Sequence, residues 1–440
     1  MKIGKAAQDA AGILGTRFAA AAISNIGGVI LARWLGPHDR GLFAIIVLTP
    51  STILTLVKLG VAQATIYCIN RKEATVDDVA SNSLILALVL GTVSSLLVWL
   101  LRDSLLHSIL GEVPPAALLL TLIGVPLVLL DNYLQSILQA TGQFGLYNRR
   151  QLQSEALRLI LVATLIIGFQ VRLTGAAAIY TFVSAVNVGW LMLSMRRTVS
   201  FGAGLNLPLL NRMLSFGLRS YVQVVTAHLL LRVDIYMVQA YLSPSDTAFY
   251  ALALRFTETV LEVPQAIGLV LYPKLAALPE ERIHALTAQT CRRTLLATLP
   301  MSFVLGVFGP WLIRIWYGAA YAPAGAPLPW AAVGVAAMSV FVIITRNFTA
   351  REKQRVNTVS GLLALIINVS LNMYLIPHYG IVGAAIATAI AYSAAVAILL
   401  YFYLLESGQR WYMVLIPERE DVEYFAKMLR HGLQRLPGLR

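Results

Sequence analysis

Apolar runs of roughly 20 residues recur along the whole 440-residue chain, and each is long enough to cross a hydrocarbon core of ~30 Å. In lipid every backbone N–H and C=O must be satisfied internally, so runs of this length are helices; a barrel strand needs only about 9–11 residues. The runs lie near 9–32, 41–66, 79–101, 116–140, 153–170, 174–195, 214–240, 247–272, 293–315, 326–349, 356–376 and 380–404. They predict an all-α polytopic membrane protein of about 12 transmembrane helices. Only 12% of residues are charged and the mean hydropathy is +0.73, whereas a soluble domain is about one quarter charged. The first run follows Lys2 and Lys5, is too long for a signal-peptide core and shows no small-residue cleavage pattern, so it is expected to stay as a span.

A net charge of +13 raises the question of nucleic acid. Its distribution argues instead for a membrane topology without a nucleic-acid partner. With the N-terminus inside, 22 of the 34 Lys and Arg fall in inner segments. Only Arg33, Arg40, Arg102, Arg172 and Arg314 fall at outer ends. This positive-inside bias predicts that both termini are cytoplasmic. Cys68 and Cys291 are far apart and form neither a disulfide framework nor a metal-ligand spacing. His107, His228, His284 and His378 are scattered, and the chain has no HExxH, nucleophile elbow or GxxxxGK[ST]. No catalytic residue, metal or cofactor is expected.

The chain writes one turn twice. "LGPHDRGLFAIIVLTPSTILTLVKLGVAQA" (35–64) aligns without a gap to "LSPSDTAFYALALRFTETVLEVPQAIGLVL" (242–271), and "LTGAAAIYT" (173–181) answers "IVGAAIATA" (381–389). "LQATGQFGLYNRR" (138–150) occupies the place of "FTAREKQRVNTVS" (348–360). The repeat predicts a six-helix bundle over 1–200, a cytoplasmic linker over 201–213, a second bundle over 214–405 and a cytoplasmic tail over 406–440. Six spans is an even number, so the bundles are parallel repeats expected to enclose a central cavity and to work by alternating access. Pro37 and Pro244 should end or bend the chain at the outer surface, with Asp39 and Asp246 capping the helix that follows; gating or ion sensing is the alternative for Asp39. In the tail, 420–436 places Val422, Phe425, Met428, Leu429, Leu433 and Leu436 near one face, with Lys427, Arg430 and Arg435 off it. It reads as an amphipathic basic helix on the anionic inner leaflet or as a loosely ordered tail.

Ionised side chains near the bilayer centre each cost on the order of 2.5–3.5 kcal/mol on insertion scales. This chain keeps six embedded cations (Arg17, Lys58, Arg219, Arg232, Arg255, Arg346) and four embedded acids (Asp131, Asp234, Glu258, Glu262). At the 207-residue offset, Lys58 corresponds to Gln265 and Asp234 to Gly27, so the scaffold repeats and the charges do not. Arg255, Glu258 and Glu262 share a helical face, either as a self-neutralising ladder or as an acid pair for a proton or cation beside a substrate-binding Arg. The cation excess suits an anionic head group, and arginine's fork of donors matches phosphate oxygens. Arg17, Lys58, Arg219, Arg255 and Arg346 are therefore the candidate substrate-binding residues. Asp39, Asp131, Asp234, Glu258 and Glu262 are the candidates for ion coupling or gating. A cation-coupled drug exporter with an acidic cleft and a non-transport membrane scaffold are the competing readings.

These residues also carry a resemblance. "ARWLGPHDRGLFAIIVLTP" and "LGVAQATIYCINRK" resemble the first repeat of Wzx-type polysaccharide flippases, members of the multidrug/oligosaccharidyl-lipid/polysaccharide exporter superfamily. Residues 216–276, with an R-x-D, an L-x-P turn and a Pro-containing span ending "YPKLA", are similar to its second, and "GIVGAAIATAIAYS" (380–393) to its last span. The resemblance implies a flippase for polyprenyl-diphosphate-linked oligosaccharide, moving it from the cytoplasmic to the outer face of a bacterial inner membrane. O-antigen, lipopolysaccharide or exopolysaccharide synthesis would be served. The implied partners are membrane lipids, a polysaccharide polymerase and a chain-length regulator. Related lipid II flippases use arginines in the first, second and eighth spans; here Arg17, Lys58 and Arg255 stand in those spans.

Overall fold

The computed structural model describes residues 3–105, 110–169, 172–202, 204–276 and 278–425. Among them there is no strand. In chain order the helices are α1 (Ile3–Val57), α2 (Val61–Asn70), α3 (Val76–Leu100), the short α4 (Arg102–Leu105), α5 (Pro115–Ala140) and α6 (Phe144–Leu161), which runs on as a π-helical segment (Val162–Gly168). Then come α7 (Leu173–Met195), α8 (Leu207–Tyr241), α9 (Pro244–Ala276), α10 (Glu280–Tyr317), a 3-10 turn (Ala319–Gly325), α11 (Leu328–Ala350), α12 (Gln354–Ser407) and the short α13 (Trp411–Leu415).

Among the described residues, eight helices are long and apolar enough to cross a membrane. Two hold a pair of expected spans each. α12 has 54 residues, or about 80 Å at 1.5 Å per residue, and it breaks at Gly380, where φ is 60°. α1 breaks at Gly36 with φ 73°, just before Pro37, where the absent N–H interrupts the helical ladder. The last two expected spans are α6 with its π segment and α9, whose Arg and Glu side chains lower their hydropathy. Twelve spans are thereby accounted for. α8 and α10 begin well before the expected 214 and 293, because helical hydrogen bonding continues past the hydrocarbon where Asn211, Arg212 and Glu280 meet water. The expected continuous span 41–66 is instead broken between Val57 and Val61.

At the second copy of the repeated turn Ser243 is the N-cap, and Asp246 caps reciprocally by accepting the Ser243 N–H at 3.2 Å. The Asp246 N–H donates to Ser243 Oγ at 3.2 Å, and Ser243 Oγ donates to the Asp246 carboxylate at 2.6 Å. This is a reciprocal capping box with Pro244 as first helical residue. Asp39 instead contacts the His38 ring at 3.3 Å, and the other ring nitrogen meets Glu112 at 3.1 Å. The thin 138–150/348–360 match is structurally close. The turns before α6 and α12 share three bonds: Thr141 N to Ile137 O and Arg351 N to Asn347 O, Gly142 N to Gln139 O and Glu352 N to Thr349 O, and Gln143 N to Leu138 O and Lys353 N to Phe348 O.

The chain forms two compact units. The first comprises Met1–His228, Gln239–Ala248 and Trp316–Ala320. There α5 is the central helix, packed on α1, α2, α3 and α7, with Tyr133, Leu134 and Ile137 fully enclosed. The second comprises Leu229–Val238, Phe249–Ile315 and Tyr321–Arg440. Its core joins Leu275, Cys291, Ile343, Phe348, Leu399 and Tyr403, and Val414 of α13 inserts into it. The chain after α13 is tied to α10: Arg292 Nε donates to Asp421 Oδ2 at 2.6 Å, Arg293 Nε to Asp421 Oδ1 at 2.9 Å, and Arg292 Nη1 to Met413 O at 2.5 Å. Burial pushes the Asp421 carboxyl up, but the hydrogen bonds from Arg292 and Arg293 outweigh it and hold the group below the ordinary carboxylate range. Of the expected tail helix, residues 420–425 are helical; Met428, Leu429, Leu433, Leu436, Lys427, Arg430 and Arg435 lie outside the described residues.

Candidate functional site

Asp234 on α8 is fully buried in the second unit. Its Oδ2 accepts from Tyr250 Oη at 2.6 Å and Thr388 Oγ1 at 3.1 Å, and its Oδ1 from the Ile235 N–H at 2.9 Å. The chain of contacts continues: Asn368 Nδ2 donates to Thr388 Oγ1 at 3.2 Å, and Asn372 Nδ2 to Asn368 Oδ1 at 2.9 Å. Asn372 Oδ1 is buried with no hydrogen-bond partner among the described residues. A carboxylate and a spare carboxamide oxygen thus sit on one polar network drawn from α8, α9 and both halves of α12. Arg232, two residues from Asp234, points elsewhere and pairs with Glu258 of α9. This is an ion pair between two helices, so Glu258 is held from outside its own helix.

In the first unit Asp131 of α5 is 2% exposed and is gripped by Arg150 of α6, Nε to Oδ1 at 2.9 Å with the second nitrogen on Oδ2, and by Gln135 Nε2 at 2.7 Å. Asp131 and Arg150 line a cavity of about 100 Å³ with Glu155, Arg158, Tyr180 and Asn187. Arg158 reaches Glu155 at 3.3 Å, and Asn187 Nδ2 donates to Ser154 Oγ at 3.0 Å. Charge reading along the sequence missed Arg150, Glu155 and Arg158 as members of this cluster. The i, i+3 spacing of Glu155 and Arg158 inside an apolar run was the signal available.

Lys58 lies at the break after α1, half-buried; among the described residues it has no ion-pair partner. Arg346 on α11 is half-buried, packs over Gly268 of α9, and leaves Nε without a hydrogen-bond partner. Arg255 is half-buried on α9 and Glu262 is exposed on the same helix. Arg17 and Arg219 sit on α1 and α8, and their side chains lie outside the described residues. The structure therefore gathers Asp234 into one network and Asp131 into another, pairs Glu258, and leaves Asp39 at the His38 contact.

A family described as "Polysaccharide biosynthesis protein" matches residues 30–326. The probable low-salt glycan biosynthesis flippase Agl15 of Haloferax volcanii (strain ATCC 29605 / DS2) is 26% identical over 178 residues, 40% of this chain and 37% of that protein. The match therefore spans little more than a third of that relative's length. Among solved structures, the lipid II flippase MurJ in an inward closed conformation superposes with a TM-score of 0.76 at 15% identity, over 96% of this chain and 99% of that one. An inward-facing multidrug resistance MATE family transporter of the MOP superfamily gives 0.76 at 16% identity, over 88% and 94%. These similarities agree with the helical fold, and with a match across 30–326 the chain belongs to the polysaccharide biosynthesis protein family.

Proposed function

We propose that this protein is a flippase carrying a polyprenyl-diphosphate-linked oligosaccharide repeat unit from the cytoplasmic to the outer face of a bacterial inner membrane, for cell-surface polysaccharide synthesis, with both termini cytoplasmic. The supporting observation is the asymmetry between embedded acids and cations. Asp131 is bound by Arg150, Glu258 by Arg232, and Asp234 by a hydroxyl pair and an amide. Lys58 has no ion-pair partner among the described residues and Arg346 keeps an open Nε. An embedded cation without a counter-ion is a binding site for an anion the protein does not itself supply. Arg17, Lys58, Arg219, Arg255 and Arg346 are the candidate ligands for phosphate oxygens of the head group. The prenyl chain stays in lipid, and translocation proceeds by alternating access without covalent chemistry. The bundles follow the repeat, at 1–200 and 214–405 with a linker at 201–213.

Coupling to a proton or monovalent cation is placed by this reading at Asp234, where a carboxylate has hydrogen-bond donors but no paired cation. The drug-exporter reading draws less support, since Asp131, Asp234 and Glu258 are already engaged by donors or cations within the protein.

The test is a deletion strain carrying a plasmid-borne copy. Lipid-linked oligosaccharide should accumulate and surface polymer disappear on deletion, the wild-type gene should reverse both, and the triple substitution Lys58→Gln, Arg255→Gln, Arg346→Gln should fail to reverse them at normal expression. Full rescue by the triple variant would refute the cationic path. An unchanged lipid-linked pool in a strain shown to have no second flippase would refute the flippase itself.

A further inference from the structure

We propose that Tyr133 and Tyr221 are positioning residues for Lys58, holding the second span broken in the geometry that presents its ammonium; this rests on the reading of Lys58 as an anion ligand. Sequence alone gives 41–66 as one span, yet α1 stops at Val57 and α2 starts at Val61. Between them Leu59 has φ 48° and Gly60 φ 69°. The left-handed region is open to glycine and disfavoured for leucine, whose Cβ crowds the following carbonyl, so something outside the segment must hold it.

Two tyrosines from two other helices do so. Tyr221 of α8 donates its hydroxyl to Leu56 O, and Tyr133 of α5 donates to Lys58 O at 3.3 Å. A break in a membrane helix releases carbonyls, and in lipid an unsatisfied carbonyl is expensive. An intact helix would have engaged Leu56 O itself; Lys58 O keeps a turn bond from the Val61 N–H at 3.0 Å and takes Tyr133 as a second donor, and phenylalanine at 133 and 221 would pack as well. The Tyr221 hydroxyl satisfies the carbonyl that the break frees, and the Tyr133 hydroxyl braces the turn at its Lys58 carbonyl. The α8 backbone also seats against it: Gly60 and Gly217 face each other with no room for a Cβ on either. About two turns on, Tyr67 of α2 stacks on Phe216 of α8 with ring centroids 4.4 Å apart. The ten-residue α2 is thus fastened to α8, and the direction of Lys58 at its root follows from the same backbone.

The test uses the full chain in nanodiscs, with farnesyl diphosphate as the anionic probe and spin labels at Arg71→Cys and Gln139→Cys in a Cys68→Ser, Cys291→Ser background. Lys58→Gln should weaken probe binding about 10-fold. Tyr133→Phe with Tyr221→Phe should weaken it about 3- to 10-fold with every charge in place, and should shift or broaden the distance distribution between the labels. Gly217→Ala, whose methyl would strike Leu59 O, should move that distribution in a chain that keeps both tyrosines. If Lys58→Gln binds normally, the anion-ligand reading falls. If Lys58→Gln weakens binding while the double tyrosine variant keeps wild-type affinity and distances, the positioning role is overturned.

Discussion

Asp131 and Arg150 form a two-pronged ion pair between α5 and α6, with Nε 2.9 Å from Oδ1 and only 2% of Asp131 exposed. Two charges enclosed this way stabilise each other, and removing one strands its partner. Arg150→Met should therefore lower stability by about 3–5 kcal/mol, the range for breaking a buried pair. Asp131→Leu with Arg150→Met should recover most of that loss. Thermal unfolding of the detergent-purified protein reads both, and equal losses in the single and double variants would contradict the pairing.

Asp234→Asn preserves shape and most of the hydrogen bonds at the buried network but removes its charge. Folding should persist, with transport falling about 10-fold or more if a cation or proton is coupled there, a barrier raised by at least ~1.4 kcal/mol. Tyr250→Phe removes the 2.6 Å donor and should destabilise the fold by about 1.5–3 kcal/mol, the range for a hydrogen bond to a charged group. Transport in the deletion strain alongside a melting curve separates the two effects.

The tail contact has a definite pH sign. Asp421 titrates below the ordinary carboxylate range because of Arg292 and Arg293. Its contribution is fully present above the unfolded value of about 3.9 and is lost as pH falls through the lowered folded value. Hydrogen exchange of 411–425 should be slow and unchanged by this carboxylate from pH 5 to 8. Arg292→Ala with Arg293→Ala should release the segment throughout that range; protection that survives the double substitution would assign the docking to Val414 alone.

Gly91 of α3 meets the backbone of Pro126 on α5 with no space for a side chain. Small residues let membrane helices approach this closely. Gly91→Ala should cost about 1–3 kcal/mol through overpacking, seen as a lower melting temperature. Gly189→Ala, where a Cβ would meet nothing within 4 Å, should leave it unchanged.

Charge reading found Asp131 and Asp234 because an acid in an apolar run stands out at any register. It could not find Tyr250, Thr388 or Asn368, since hydroxyls and carboxamides cross membrane helices routinely and only a shared neighbour gives them a role. Glu258 was read along its own helix, yet its partner Arg232 sits on another. The capping role was read at Asp246 alone, whereas Ser243 and Asp246 share it, a pairing that side-chain geometry alone decides.

The sequence by itself determined the twelve crossings, their pairing into two repeats and the excess of embedded cations. Those follow from run length against bilayer thickness, from self-similarity and from composition, none of which needs a third dimension. Only the tertiary structure decided which charges were spent on one another, and that the second span is broken at Lys58–Gly60. Hydropathy averages over a window and cannot register three residues of altered backbone. At that break the Tyr221 hydroxyl, 165 residues away in sequence, satisfies Leu56 O, and the Tyr133 hydroxyl, 75 residues away, joins the Val61 N–H on Lys58 O.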